Sequence, residues 1–307
     1  MARAREARPA RIRVPASTSN LGAGFDCLGL ALDFYLEASY TPGPGDLQLE
    51  RAGTLKGLSG PDLLLEAFRD AMAQRGLPAT GVVRATSEIP IGRGLGSSAS
   101  ATVAGLALGA AAAAEELDRP DALAVATRRE GHPDNAAPAL MGGLVGVVQG
   151  PSGKFVAFRL PLSPDVAFAW AAPAAQVGTA QARTALPETV PHSVATRALS
   201  RNAALVQGLA SADPDLIRSG FRDELHVPYR LPLIPGGVEA MRAAEDAGAW
   251  AVTISGSGSG LIAACQPGLA EAVALAMGGS FRETAGAPGV IARPVRCDPH
   301  GVQILPP

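Results

Sequence analysis

The sequence predicts an α+β protein of two domains, and three observations predict it. Short apolar strands alternate with helical stretches along the chain, yet neighbouring strands also read as hairpins, which a doubly wound parallel sheet does not contain. The pattern changes after about residue 160, where a Gly-Pro-Ser-Gly turn at 150–153 marks a soft boundary. The length, 307 residues, accommodates two cores. The domains expected are therefore 1–160 and 161–307.

The elements follow in order. Residues 11–16 alternate polar and apolar, as a strand does. The polar turn STSNLGAGFD leads into a second strand, LGLALDFYLEAS, and PGPGD at 42–46 reads as a turn. Between Pro61 and Arg75, Leu64, Leu65, Phe68 and Met72 share a helical face. GVVRAT (81–86) is a strand, and a loop of small residues then runs into the Ala-rich segment 99–116, a strong helix former. A helix at 119–130, a GHPDN turn and the strand LVGVVQG complete the first half. The second half reads as a strand at 166–172, helices at 193–210, 213–220 and 236–247, and a strand at 251–255. GSGSG, LIAAC, a helix at 269–276 and a strand at 290–298 close it.

Composition excludes several classes. Apolar residues make up 47% and charged ones 18%, which is globular rather than disordered. A net charge of −2 offers no electrostatic case for nucleic acid or a membrane surface as partner. The apolar run Ala99–Ala114 is broken by Ser100, Thr102, Gly105 and Gly109 and falls short of the roughly 20 residues a span needs, so it reads as a buried helix. Cys27, Cys265 and Cys297 are far apart with no CxxC or zinc spacing, and no apolar signal core follows the basic N-terminus. A reduced, cytoplasmic protein is expected.

The chemistry concentrates in three Gly/Ser loops, each after a strand. In PIGRGLGSSAS (90–100), Gly92, Gly94 and Gly96 let backbone N–H groups approach a ligand, and the following helix aims its positive end at the same spot. Ser97 and Ser98 add hydroxyls. The Walker lysine is absent, Lys56 and Lys154 being the only lysines, and the GxGxxG spacing is missing. Alone, such a loop reads equally well as a turn with Ser97 as helix cap. STSNLGAGFD (17–26) and SGSGSG (255–260) shift the balance towards a nucleotide phosphate site. A serine hydrolase is disfavoured, since no GxSxG elbow occurs.

Together these segments resemble the GHMP kinase superfamily. Its signature P-x-x-x-G-L-G-S-S-A fits Pro90, Gly94, Leu95, Gly96, Ser97, Ser98 and Ala99. Within it the chain is most similar to homoserine kinases, through VPASTSNLGAGFDCLGLAL, EGHPDNAAPALMGG, TAQARTALP and VPYRLPLIPG. The match runs from residue 11 to about 304. The third loop departs from the usual SGSGPT, with Ser259 and Gly260 in the last two places, and Asp62 stands where relatives often carry Asn against adenine.

The resemblance implies an N-terminal domain like ribosomal protein S5 domain 2 and a ferredoxin-like C-terminal domain. It implies ATP with Mg²⁺, L-homoserine as substrate, O-phospho-L-homoserine as product in threonine synthesis, and a homodimer as the common assembly. The nucleotide would lie against Pro90, Ile91, Gly92, Arg93, Gly94, Leu95, Gly96, Ser97, Ser98, Ala99, Ser100 and Asp62. Ser98 and Glu130 are the expected metal ligands, hard oxygen donors that suit Mg²⁺. The substrate carboxylate calls for Arg183 and Arg230; the ammonium calls for Asn20 and Asp26, with Asp26 an alternative hydroxyl ligand. His132, Asn135 and Gly258 are placed at the same pocket. Asp134 and Thr179 are candidates near the reacting groups, Thr179 to orient the γ-phosphate or the hydroxyl. A strong general base is not expected. His132 with Asp134 is a weak zinc candidate, no third ligand lying nearby. The rivals are another GHMP-type kinase, acting on a mevalonate- or shikimate-like substrate, and a non-catalytic ATP-binding protein on the same fold.

Overall fold

A computed structural model describes residues 6–59, 61–286 and 288–306. Two sheets organise it. The first has seven strands, with β11-β1-β2-β4-β3 in line and the β5–β6 hairpin branching from β2. Its strands are β1 (Ala10–Asn20), β2 (Gly24–Asp46), β3 (Gln48–Gly53), β4 (Thr80–Ser87), β5 (Leu144–Gln149), β6 (Phe155–Leu160) and β11 (Gln303–Leu305). β1 and β2 pair antiparallel, with a register break between Pro15 and Ala16, a natural place for a residue without an N–H. Ile12, Val14 and Ala16 of β1 are fully buried.

Two helices over this sheet flank the glycine-rich loop at 90–96. α1 (Leu63–Gln74) starts at Asp62, whose side chain caps Leu65 N, and buries Leu64, Phe68 and Met72. α2 (Ser97–Ala112) is apolar all round and buried along nearly its whole length. The two helices approach at Gly105 and Gly109 of α2: a Cβ on Gly105 would lie 2.2 Å from Leu64 O. α3 (Arg119–Glu130) ends in a left-handed Gly131 cap, which leaves Glu130 as its last residue. The HPDN turn and the short buried α4 (Ala136–Met141) follow.

The second sheet is β7 (Ala167–Ala172), β8 (Ala251–Ile254), β9 (Leu261–Cys265) and β10 (Ile291–Val295), in the order β10-β7-β9-β8, all antiparallel. Numbered within the sheet this is 4-1-3-2, the ferredoxin-like order. Between β7 and β8 lie α5 (Thr179–Thr184), α6 (His192–Ser211), α7 (Pro214–Phe221), α8 (Val227–Arg230) and α9 (Gly237–Asp246); α10 (Ala270–Ala285) precedes β10. One face of this sheet packs on α9 and α10 through Ala240, Ala244, Val273, Met277 and Phe281. The other shares the first sheet's core through Phe168, Trp170, Ile262 and Val295.

The structure departs from the sequence reading in several places. PGPGD (42–46) is not a free turn: it stays within β2 as a register break, Pro42 pairing with Gly81 and Asp46 with Thr80. β3 runs parallel to β4 at the sheet edge, where its charged side chains can stay in water, so no apolar alternation announces it. β6 and the short elements α4, α5 and α8 are likewise absent from the sequence reading. α10 continues past the Gly278–Gly279 pair because Gly278 lies against β10, a Cβ there falling 2.6 Å from Ala292 Cβ. β11 returns the chain end to β1 of the first sheet. Among the described residues no helix is long and apolar enough to cross a membrane.

Candidate active site

A cavity of about 300 Å³ runs from the first turn of α2 to the end of α8. Its floor is the loop 90–98. Gly92, Gly94 and Gly96 all take positive φ (67°, 72° and 63°). The loop's carbonyls are tied outwards: Gly92 O accepts from Val177 N (3.2 Å), Leu95 O from Ser17 N (3.1 Å) and Gly94 O from Ser255 Oγ (2.7 Å). The N-cap of α2 is Gly96, which has no side chain to offer, so the first N–H groups of a 16-residue helix are left for a ligand. Space enforces the glycines. A Cβ on Gly94 would fall 1.8 Å from Ser255 O, and one on Gly96 2.4 Å from Ser17 Oγ.

At the edge of this cradle Ser98 Oγ donates to Glu130 Oε1. The α2 start and the α3 end thus present a hydroxyl and a carboxylate together, the donor set Mg²⁺ prefers. The cradle opens on an apolar slot that includes Leu36, Leu55, Leu64, Ala85 and Ile91, suited to a flat base. Asp62 borders the slot already engaged. Its Oδ1 caps α1, and its Oδ2 accepts from Arg51 Nε (3.0 Å) and Nη2 (2.7 Å). Arg51 also donates to Leu58 O at 3.1 Å, fastening the 54–59 loop beside the slot.

The other end is a charged pocket. Arg183, on α5, donates twice to Asp26, at 3.0 and 2.8 Å. That contact, above all its hydrogen bonds, raises the guanidinium's proton affinity further. Arg230, the last residue of α8, is only 2% exposed. It donates to Ala182 O (3.2 Å) and Gly256 O (3.3 Å), and no carboxylate pairs with it among the described residues. Burial, and next the nearby charge of Arg183, pulls its proton affinity down. Phe25 lies under both guanidiniums, 5.1 Å from Arg230 and 5.9 Å from Arg183. A buried guanidinium without a carboxylate partner, set over an aromatic floor, is chemically suited to accept a small carboxylate.

His132 and Asp134 form the side wall. Their Nδ1···Oδ1 distance is 2.6 Å and both are buried. Burial alone would depress His132, but the hydrogen bond and charge of Asp134 outweigh it and the imidazole is raised above its ordinary value. A raised folded-state value means that the contact stabilises the protein fully below about pH 6.5, the unfolded value, and that this contribution is lost as pH rises through the folded one. In a histidine NMR titration His132 is expected to titrate above 6.5, and Asp134→Asn to bring it below; a wild-type midpoint under 6.5 contradicts the pairing.

The first loop is bent to reach this pocket. Asn20, Leu21 and Asp26 all hold positive φ without being glycine, each at about 1–3 kcal/mol. Asn20 helps to hold it: its Oδ1 accepts from Asp26 N (3.0 Å) and its Nδ2 donates to Gly256 O (2.8 Å). Asn135 does the same at the next turn, accepting from Ser17 Oγ and donating to Ser19 Oγ. Ser255 Oγ reaches Thr18 Oγ1 as well as Gly94 O. A buried polar seam therefore welds the three glycine loops and the HPDN turn into one unit.

The cavity brings together Pro90, Ile91, Gly92, Gly94, Leu95, Gly96, Ser97, Ser98 and Asp62 with Glu130, Asp134, Thr179, Asn20, Asp26, His132, Asn135, Arg183 and Arg230. Four expected residues do not line it. Arg93 turns away to bind Gly289 O and Ala174 O. Ala99 is in the core and Ser100 donates to Pro15 O. Gly258 sits behind the rim, near Ile234. The departures at 259–260 fit their surroundings: Ser259 Oγ donates to Ala175 O, and a Cβ on Gly260 would strike Arg93 O at 2.5 Å and Trp170 Nε1 at 2.6 Å. Thr179 Oγ1 lies 3.5 Å from Ser257 Oγ, a second hydroxyl on the cavity wall that the sequence reading does not single out. Among the described residues no group of three His, Cys, Asp or Glu side chains could hold a metal, which leaves His132 and Asp134 without a zinc partner.

A glycine cradle at a buried helix start, joined to a small polar pocket on a two-sheet α+β frame, defines a small-molecule kinase of the GHMP class. The GHMP kinases N terminal domain matches residues 62–143 and the GHMP kinases C terminal domain matches 205–283. Homoserine kinase of Thermus thermophilus is 42% identical over 260 residues, covering 84% of this chain and 87% of the relative. Homoserine kinase of Synechococcus sp. strain RCC307 is 40% identical over 281 residues, 89% of each. The chain belongs to the homoserine kinase family of the GHMP kinases. The crystal structure of homoserine kinase from Cytophaga hutchinsonii superposes with a TM-score of 0.82 at 27% identity, covering 97% of both chains. Mevalonate kinase of L. major shares the fold alone, with a TM-score of 0.70 at 14% identity over 93% of this chain and 95% of its own.

Proposed function

We propose that the protein transfers the γ-phosphoryl group of ATP to the hydroxyl of L-homoserine, giving ADP and O-phospho-L-homoserine, as a cytoplasmic step of threonine synthesis. The observation that carries this is Arg230: a buried guanidinium without a carboxylate partner among the described residues, in the same cavity as the glycine cradle. Arg230 and Arg183 would hold the substrate carboxylate, and Asp26 the ammonium. Asn20 and Asn135 keep the loops beneath them in place.

Phosphoryl transfer asks the protein for positioning and charge neutralisation more than for covalent chemistry. Backbone N–H groups of the 92–98 cradle hold the phosphates without a lysine. Ser98 and Glu130 would hold Mg²⁺, which would supply neutralisation of the phosphate charge. Thr179 orients the γ-phosphate or the hydroxyl. Asp134, gripped at one oxygen by His132, orients the substrate hydroxyl with the other and does not act as a strong base.

Two substitutions test these roles. Ser98→Ala is expected to slow turnover at least about tenfold, or ~1.4 kcal/mol; unchanged turnover removes Ser98 from the metal site. Asp134→Asn is expected to cost less than about 10⁴-fold, and a greater loss with homoserine binding intact would mark a general base of ordinary strength. The proposal as a whole is tested by incubation with ATP, Mg²⁺ and L-homoserine, and in parallel with mevalonate, shikimate and galactose. Mass spectrometry should find phosphorylated homoserine as the main product. Tight ATP binding with no transfer to any of them would leave a non-catalytic binding protein.

A further inference from the structure

Behind Arg230 lies a layer of buried polar groups that do not line the cavity. Asp223 and His226 precede α8, and both side chains are 0% exposed. Asp223 Oδ2 accepts from His226 N at 2.6 Å and Val227 N at 2.8 Å, which pins the first turn of α8. Arg230 N in turn donates to His226 O at 3.0 Å, so the two side chains lie one helical turn apart on one face.

The imidazole faces three polar groups. Its Nε2 is 3.1 Å from Gly22 O and 3.7 Å from Asp223 Oδ2, and its Nδ1 is 3.5 Å from Arg230 Nη1. A carbonyl and a carboxylate only accept and a guanidinium only donates, so one neutral form serves all three: the ring with its proton on Nε2. Complete burial favours that form, outweighing the nearby Asp223 charge, and holds His226 below its ordinary value. The ring also stacks on Phe25, with centroids 5.0 Å apart and planes 21° from parallel. Gly22 is wedged against α7, where a Cβ would fall 2.6 Å from Phe221 Cα. One side chain thereby touches the first loop at Gly22, the aromatic floor at Phe25 and the guanidinium of Arg230.

We infer that His226 is a positioning residue for homoserine: as a neutral imidazole it fixes the Arg230 guanidinium and the 20–26 loop in the geometry that receives the substrate carboxylate, without touching substrate itself. This rests on Arg230 as the carboxylate site, and the two are separable by experiment.

Steady-state KM values for homoserine and for ATP are measured on the full-length protein for wild type, Arg230→Met and His226→Phe. His226→Phe keeps a ring against Phe25 and removes both nitrogens. It is expected to raise the homoserine KM at least about tenfold, since small misplacements of a binding group cost that much or more, and to leave the ATP KM within about twofold. A homoserine KM near wild type in His226→Phe, with Arg230→Met impaired, overturns the role of His226. A homoserine KM near wild type in Arg230→Met overturns the carboxylate site and the inference with it. Should thermal melts show that His226→Phe does not fold, His226→Asn and His226→Gln replace it. Asn presents an acceptor where Nδ1 stood, whereas Gln presents its donor where Nε2 stood. The Asn variant is expected to keep the lower homoserine KM; equal values, or the reverse order, overturn the inference.

Discussion

Arg230→Met is expected to lower kcat/KM for homoserine by about 10²–10³-fold, mainly through KM, and to leave the KM for ATP within about threefold. Losing one partner of a buried, hydrogen-bonded charge pair costs about 2–5 kcal/mol, and under the proposed function the second partner would be the substrate carboxylate. Folding should survive. The variant loses donors to Ala182 O and Gly256 O. It also removes a charge that burial and Arg183 both disfavour, and a methionine fills much of the same volume. The melting temperature is expected to stay within about 4 °C of wild type, on the order of 1 kcal/mol for a chain of this size. Loss of homoserine activity together with loss of ATP binding would mean that the fold, not the carboxylate site, had been damaged.

Gly94→Ala is expected to abolish measurable nucleotide binding, with an ATP KM at least about 100-fold higher, ~2.7 kcal/mol. Two costs combine. The residue sits at φ 72°, which burdens any side chain by about 1–3 kcal/mol. Its Cβ would also lie 1.8 Å from a backbone oxygen, Ser255 O, so the cradle and the third glycine loop would have to separate. Gly92→Ala is the matched control. Its φ of 67° carries a similar conformational cost, but its Cβ meets the flexible side chain of Gln176 at 3.0 Å. Gly94→Ala should therefore be much the more damaging in both the ATP KM and the melting temperature. Equal effects would show that backbone conformation alone, not the weld between loops, shapes the cradle.

The glycine cradle is legible in the sequence because an anion site built from backbone N–H groups needs glycine and serine in a short window, and PIGRGLGSSAS supplies them next to an unmistakable helix. The two arginines are legible only through family motifs. Nothing in the local pattern separates Arg183 and Arg230 from the other arginines that dominate the basic residues. His226, Phe25 and Asp223 stay hidden for a different reason. Their importance lies in contacts that join residues some 200 positions apart, such as His226 with Gly22, and no periodicity records those. Arg51 is hidden because it stands on β3, a polar edge strand without apolar alternation. Arg93 shows the converse: a residue inside the signature whose side chain serves the junction between the sheets instead of the nucleotide.

The account is tested most directly by removing the feature of the substrate that Arg230 and Arg183 would recognise. ADP release is followed at saturating ATP and Mg²⁺ with L-homoserine and with its carboxamide, which keeps the hydroxyl and the ammonium but carries no negative charge. The geometry predicts rapid turnover of homoserine and a kcat/KM for the amide lower by at least about 100-fold, in line with charge-assisted hydrogen bonds to two guanidiniums. Comparable turnover of the two compounds would contradict it.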